Sequence, residues 1–86
     1  MDFATGINNT AVGTATLLNN TIAEENTATG AFALFSNTEG DFNTANGSNA
    51  LFSNITGERN TATGNAALFN NNTGSRNTAN GNPANK

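Results

Sequence analysis

The side chains able to do acid–base or ligand chemistry in this chain are few: Asp2, Glu24, Glu25, Glu39, Asp41, Glu58, Arg59, Arg76 and Lys86. There is no His and no Cys. A hydroxyl nucleophile would find no imidazole to activate it and no lysine in the body of the chain, so an enzyme is not expected. Disulfides and thiolate metal sites are excluded by the missing cysteines. The nearest approach to a ligand set is Glu39 with Asp41, which could offer oxygens to calcium. The glycine–aspartate nonapeptide of calcium-binding rolls is missing, however, and no metal or cofactor is expected. Charged residues are 10% of the chain and the net charge is −3. That leaves neither a basic stripe for nucleic acid nor an acidic tail. The longest apolar run, residues 31–35, is far short of the roughly 20 residues a membrane helix needs.

With so little chemistry in the side chains, the repetition that positions them carries the information. The stretch 43–59 reads NTANGSNALFSNITGER, and the same seventeen-residue phrase precedes it at 26–42 and follows it at 60–76. A looser copy occupies 9–25, a partial copy 77–86, and residues 1–8 hold half a unit. Position one of the unit is Asn (Asn9, Asn26, Asn43, Asn60, Asn77), position two Thr and position three Ala. Position five is Gly (Gly13, Gly30, Gly47, Gly64, Gly81). Position nine is Leu17, Leu34, Leu51 and Leu68, and position twelve is Asn20, Asn37, Asn54 and Asn71. A second glycine column stands at fifteen (Gly40, Gly57, Gly74), with Ala23 in the loose copy. Small, apolar and turn-forming residues held at a fixed short period are the mark of a solenoid, one copy per coil. Apolar residues are only 35% of the chain, against about 45–50% in ordinary domains. A disordered chain, though, has no need to keep Leu and Gly in register.

The expected fold is an all-β parallel solenoid of seventeen-residue coils, one domain over 1–86. Glycine, Asn and Thr throughout argue against helix. Short strands are expected at positions two to four and at the Ala-Leu-Phe of positions eight to ten, giving two or three strands per coil. Side-chain alternation points Asn one, Ala three and Gly five inward, with Thr two and position four outward. Leu nine becomes the core column. The asparagines of positions one (Asn26, Asn43, Asn60) and twelve (Asn37, Asn54, Asn71) are expected to form amide ladders from coil to coil. Position ten, with Leu18, Phe35, Phe52 and Phe69, is either an exposed lateral interface or a second internal column. The charged residues fall mostly at positions fourteen to seventeen, a solvated turn. Sequons at Asn8, Asn19, Asn46, Asn54 and Asn71 permit glycosylation, but a chain this rich in Asn and Thr makes about as many by chance.

The phrases NTAVG (9–13) and NTATG (26–30 and 60–64), followed in the later copies by Ala-Leu, resemble the head repeats of YadA-type trimeric autotransporter adhesins. They are also similar to Asn/Thr/Gly-rich repeats of bacterial surface and tail-fibre proteins. The resemblance implies a left-handed parallel β-roll, often trimeric, on the cell exterior, with host or cell surfaces as partners. The seventeen-residue unit is longer than the usual head coil, and no coiled-coil stalk or anchor accompanies it. Regular threonine ranks (Thr10, Thr27, Thr44, Thr61, Thr78, joined by Thr29 and Thr63) resemble those of ice-binding solenoids.

The favoured expectation is a subunit of an extracellular filament built by head-to-tail stacking, its partner being itself. Residues 77–86 followed by 1–8 of another copy make one residue more than a coil. This join puts Ala84 in the alanine column and Asp2 in the position-twelve column, with Ala4 beside it and Gly6 one place beyond the second glycine column. Asn77, Gly81 and these residues would then form the end-to-end interface. Register is the quantity such a coil cannot lose. One residue inserted within 43–59 should lower the thermal unfolding midpoint more than any single surface substitution, measured by circular dichroism.

Overall fold

The computed structural model describes residues 8–17 and 19–81. Five three-residue strands, β1 (Thr10–Val12), β2 (Thr27–Thr29), β3 (Thr44–Asn46), β4 (Thr61–Thr63) and β5 (Thr78–Asn80), lie side by side in chain order in one parallel sheet. Every pairing is displaced by one repeat: Thr10 faces Thr27, Thr27 faces Thr44, Thr44 faces Thr61 and Thr61 faces Thr78. The chain is therefore a parallel β-solenoid with seventeen residues per coil, and no helix occurs among the described residues.

The strands form where β-branched Thr can stand on the solvent side of a pleat while Ala fills the narrow inside. Ala28, Ala45 and Ala62 are buried and the threonines flanking them are exposed. Each strand stops at the first glycine column, where φ is +119° at Gly30 and +137° at Gly47. A Cβ on Gly47 would sit 2.6 Å from the carbonyl oxygen of Gly64 in the next coil. Glycine is demanded there twice over, by backbone conformation and by the close approach of the coils.

The strand expected at Ala-Leu-Phe does not form. Positions five to twelve are instead three overlapping turns. In one coil Ala33 N–H donates to Gly30 O (3.2 Å), Phe35 N–H to Phe32 O (3.2 Å) and Asn37 N–H to Leu34 O (3.2 Å). The first two place a positive φ at their third residue, as a type II turn requires. Phe32 has φ +63° and Leu34 φ +51°. All four column leucines share this left-handed conformation, Leu17 at +53°, Leu51 at +52° and Leu68 at +52°. An L-residue held there costs about 1–2 kcal/mol. Burying a Leu side chain returns about 1.5–3 kcal/mol, and Leu17, Leu34 and Leu51 are fully buried. The segment also keeps its bonds to its neighbours. Leu34 N–H donates forward to Ala50 O (2.9 Å), while Phe32 N–H donates back to Thr14 O (2.8 Å).

The core is one thin column: the strand alanines, Ala33, Ala50 and Ala67, and the four leucines, with Ala79 packed on its end. Leu51 offers a direct test of the turn geometry, because a β-branched side chain is a true outlier at positive φ. Leu51→Ile should cost about 2–3 kcal/mol and Leu51→Met less than about 1.5, read from urea unfolding midpoints. Equal tolerance of the two would mean that the segment is a strand after all.

Candidate interaction surfaces

The asparagine columns come first, because they decide which surfaces exist. Both ladders form. Along position one, the N–H of Asn43 donates to Asn26 Oδ1 (2.8 Å), that of Asn60 to Asn43 Oδ1 (3.0 Å) and that of Asn77 to Asn60 Oδ1 (3.0 Å). Along position twelve the amides bond side chain to side chain: Asn54 Nδ2 to Asn37 Oδ1 (2.8 Å) and Asn71 Nδ2 to Asn54 Oδ1 (3.0 Å). Within each coil the two columns share one acceptor. Asn43 Nδ2 and Asn54 Nδ2 both donate to Gly57 O, at 2.8 and 3.0 Å. The same fork joins Asn26 and Asn37 to Gly40 O, and Asn60 and Asn71 to Gly74 O. Two amides on one carbonyl clip each coil shut. Asn26, Asn37, Asn43, Asn54 and Asn60 are fully buried, and no buried side-chain nitrogen or oxygen among the described residues lacks a partner.

The clip explains the second glycine column. A Cβ on Gly57 would meet Asn54 Oδ1 at 2.5 Å and Gly74 O at 2.4 Å. In the loose first coil Ala23 occupies this place, and its bond from Asn20 Nδ2 is longer, 3.3 Å.

Next to the clip is a contact that the sequence does not announce. Three consecutive N–H groups, at positions thirteen to fifteen, converge on the position-thirteen carbonyl of the following coil. Thr38 O accepts from Thr21, Ile22 and Ala23, and Ile55 O from Thr38, Glu39 and Gly40. Asn72 O accepts from Ile55, Thr56 and Gly57. At this corner each coil thus presents an N–H triad on one side and a carbonyl on the other, and the two are complementary by translation. The N–H groups of Asn72, Thr73 and Gly74 have no acceptor among the described residues. Of the expected end-to-end set, Asp2, Ala4, Gly6 and Ala84 lie outside the described residues. Asn77 continues the position-one ladder, and Gly81 N–H donates to Thr63 O (2.8 Å).

On the turn side, Phe35, Phe52 and Phe69 are half-buried, between the two alternatives the sequence leaves open. Their rings stack on one another, Phe35 on Phe52 with centroids 5.1 Å apart and Phe52 on Phe69 at 4.9 Å, within 6° and 5° of parallel. This is the coil spacing of a parallel sheet, about 4.8 Å, and each stacked pair adds about 0.5–1.5 kcal/mol. The faces cover each other and leave a strip of ring edges. Phe32, 38% exposed, tilts against Phe35 and Phe52 beside it. Leu18, the fourth member expected of this stripe, lies outside the described residues.

The charged side chains gather on the closing side, as their positions in the unit imply. Glu24, Glu25, Glu39, Glu58, Arg59 and Arg76 are exposed and Asp41 is half-exposed. Arg59 bonds Glu58 (3.3 Å) and covers the ring of Phe42, 5.1 Å from its centroid. Exposed contacts of this kind contribute at most about 1 kcal/mol each. Among the described residues there is no pocket and no group of three or more acidic side chains arranged to hold a metal ion. No helix among them is long and apolar enough to cross a membrane.

Set beside known proteins, the chain matches no family model, no curated sequence and no solved structure. The geometry itself is therefore what a functional reading has to stand on. Its most sensitive point is the clip. Asn43→Asp removes the donor facing Gly57 O and buries a carboxylate against that carbonyl; the two donors of Asn60 on Oδ1 offset the buried charge only in part, leaving a cost of up to about 3–5 kcal/mol at neutral pH. Burial raises the pKa of the introduced carboxyl in the folded state, because the protonated form alone can donate to Gly57 O. Relative to wild type, the variant should be most stable below the unfolded carboxyl pKa of about 3.9. It should lose that stability as pH rises through the raised folded value. Urea midpoints measured from pH 3 to 8 check this.

Proposed function

We propose that this chain is a structural segment of an extracellular filament in which coils stack head to tail, within a chain and from one chain to the next. The observation that carries the reading is the translational complementarity of the rims. An N–H triad on one side of every coil fits a carbonyl on the other side of the next. Such an interface is heterologous, and a heterologous contact without rotational closure propagates as a fibre. The asparagine ladders extend the same way, since each Asn Oδ1 waits for a donor one coil further on. An open row of backbone donors such as Asn72–Thr73–Gly74 is a template for a further coil, whether that coil belongs to the same chain or to another copy.

A second reading has its own support. The half-exposed strip of Phe35, Phe52 and Phe69, with Phe32 beside it, is an apolar band running along the solenoid. Bands of that kind mark interaction surfaces. They would suit lateral packing of several copies, as in the head or shaft of a trimeric surface adhesin or tail fibre. Neither reading involves nucleic acid, membrane insertion or catalysis.

Electron microscopy of the purified protein tests the first reading. Uniform fibres are expected, and dispersed particles at high concentration would refute it. Thr73→Pro removes the central N–H of the triad and should stop elongation while circular dichroism of the coils is unchanged. Replacing Phe35, Phe52 and Phe69 together by Ser should leave fibres intact under the first reading. Loss of the oligomer with retained strand content would favour the second.

A further inference from the structure

We infer that the outer face of the five-stranded sheet is an ice-binding surface, a function separate from the stacking of coils through their rims. The sheet sets two straight ranks of side chains on its solvent side. One is threonine in every coil: Thr10, Thr27, Thr44, Thr61 and Thr78, all exposed. The second is Val12, Thr29, Asn46, Thr63 and Asn80, also exposed. Strand geometry spaces neighbours about 4.8 Å apart along a rank and the two ranks about 6.6 Å apart. These distances are close to the repeats between water oxygens on crystal planes of hexagonal ice.

Three further properties single this face out. Its hydroxyls are uncommitted. None of the seven threonines on the two ranks makes a side-chain hydrogen bond within the molecule, whereas Thr16 donates its hydroxyl to Gly30 O (2.8 Å). Every hydroxyl on the face is therefore available to water, next to a γ-methyl that favours ordered water around it. The face is also stiff. Threonine is restricted at χ1, and the residue between the ranks is a buried Ala in β1 through β4, packed on the core. Finally, the face is uncharged: its two ranks hold only Thr, Val and Asn, and the charged side chains among the described residues stand at positions fourteen to seventeen on the closing side. A charge would hold a hydration shell that no crystal lattice matches.

A partner periodic in two directions, uncharged, and equally rich in donors and acceptors is the surface of crystalline water. A crystalline polysaccharide would call for aromatic platforms, and the stacked rings of this molecule are on the turn side with their faces covered. A protein partner would be expected to meet apolar anchors, and Val12 is the only large apolar side chain on the two ranks.

The test uses the full chain and single ice crystals in a nanolitre osmometer, with ice recrystallisation followed in parallel. Wild type is expected to facet growing crystals, to hold freezing below melting and to arrest recrystallisation. The double variant Thr44→Tyr/Thr61→Tyr keeps β propensity but breaks the flat array, and should lose these effects. Thr56→Tyr, an exposed change on the closing side, should retain them. If the double variant fails to fold by circular dichroism, Thr44→Ser/Thr61→Ser replaces it; it removes only methyl groups and should weaken the effects. A wild-type chain that neither facets ice nor slows recrystallisation overturns the inference, as does equal activity of the strand-face variants. A wild-type dimer that the tyrosine variant dissociates would assign the face to a second copy and overturn it as well. Failure here leaves the filament reading untouched, because that reading rests on the rims and is read by microscopy.

Discussion

The structure depends on one backbone oxygen per coil, the carbonyl at position fifteen, which accepts an amide hydrogen from each of two buried asparagines. The fork ties position one to positions twelve and fifteen, joining the start of the unit to its end. At Gly40, Gly57 and Gly74 it leaves no room for a side chain on the residue that supplies the carbonyl, while the first coil takes Ala23 there with a longer bond from Asn20. Because each asparagine also bonds its counterpart in the adjacent coil, closure of one coil and register with the next are a single event. A one-residue slip would leave buried amides without partners, at about 1–3 kcal/mol for each unsatisfied group. The fixed period is the outcome of that penalty.

A chain with this little apolar material can fold because the work is divided. Alanine and leucine fill a core barely wider than a side chain, and closely spaced hydrogen bonds around it supply what hydrophobic burial alone could not. The division has a conformational cost. Left-handed backbone recurs at positions seven, nine and seventeen in residues as different as Ala, Phe, Leu, Glu and Arg. Such strain persists only where the surroundings over-determine it, and here Leu17, Phe32, Leu34, Phe42, Asn49, Leu51, Arg59, Ala66 and Arg76 each donate the backbone N–H to an adjacent coil.

The same arrangement separates the surfaces. The rims carry unspent backbone hydrogen-bonding capacity along the solenoid axis. The strand side presents uncharged hydroxyls, the turn side a strip of ring edges, and the closing side the charges. Each surface is repeated by the coil translation, so a weak contact made once is made in every coil. Assembly along the axis would lengthen the lateral surfaces without covering them, so the two proposed roles do not compete for the same surface.

The sequence alone determined the coil length, the parallel stacking and the direction of the strand side chains. It also placed the leucine core and both asparagine ladders. These follow from identity at a fixed spacing: when the same residue recurs every seventeen, whatever faces inward in one coil faces inward in all. Only the tertiary structure decided the path between those points. Ala-Leu-Phe reads as a strand by composition, and nothing in a leucine announces φ near +52°. That sign is imposed by the carbonyls of the coils before and after, to which positions seven and nine donate in opposite directions. The N–H triad was equally silent, being built from backbone atoms whose residues drift from copy to copy. Whether the phenylalanines lay inside or outside was undecided in the sequence for a related reason. Their half-buried stack depends on how sharply the preceding turns bend, and the bend comes from contacts between coils and not from the residues in it.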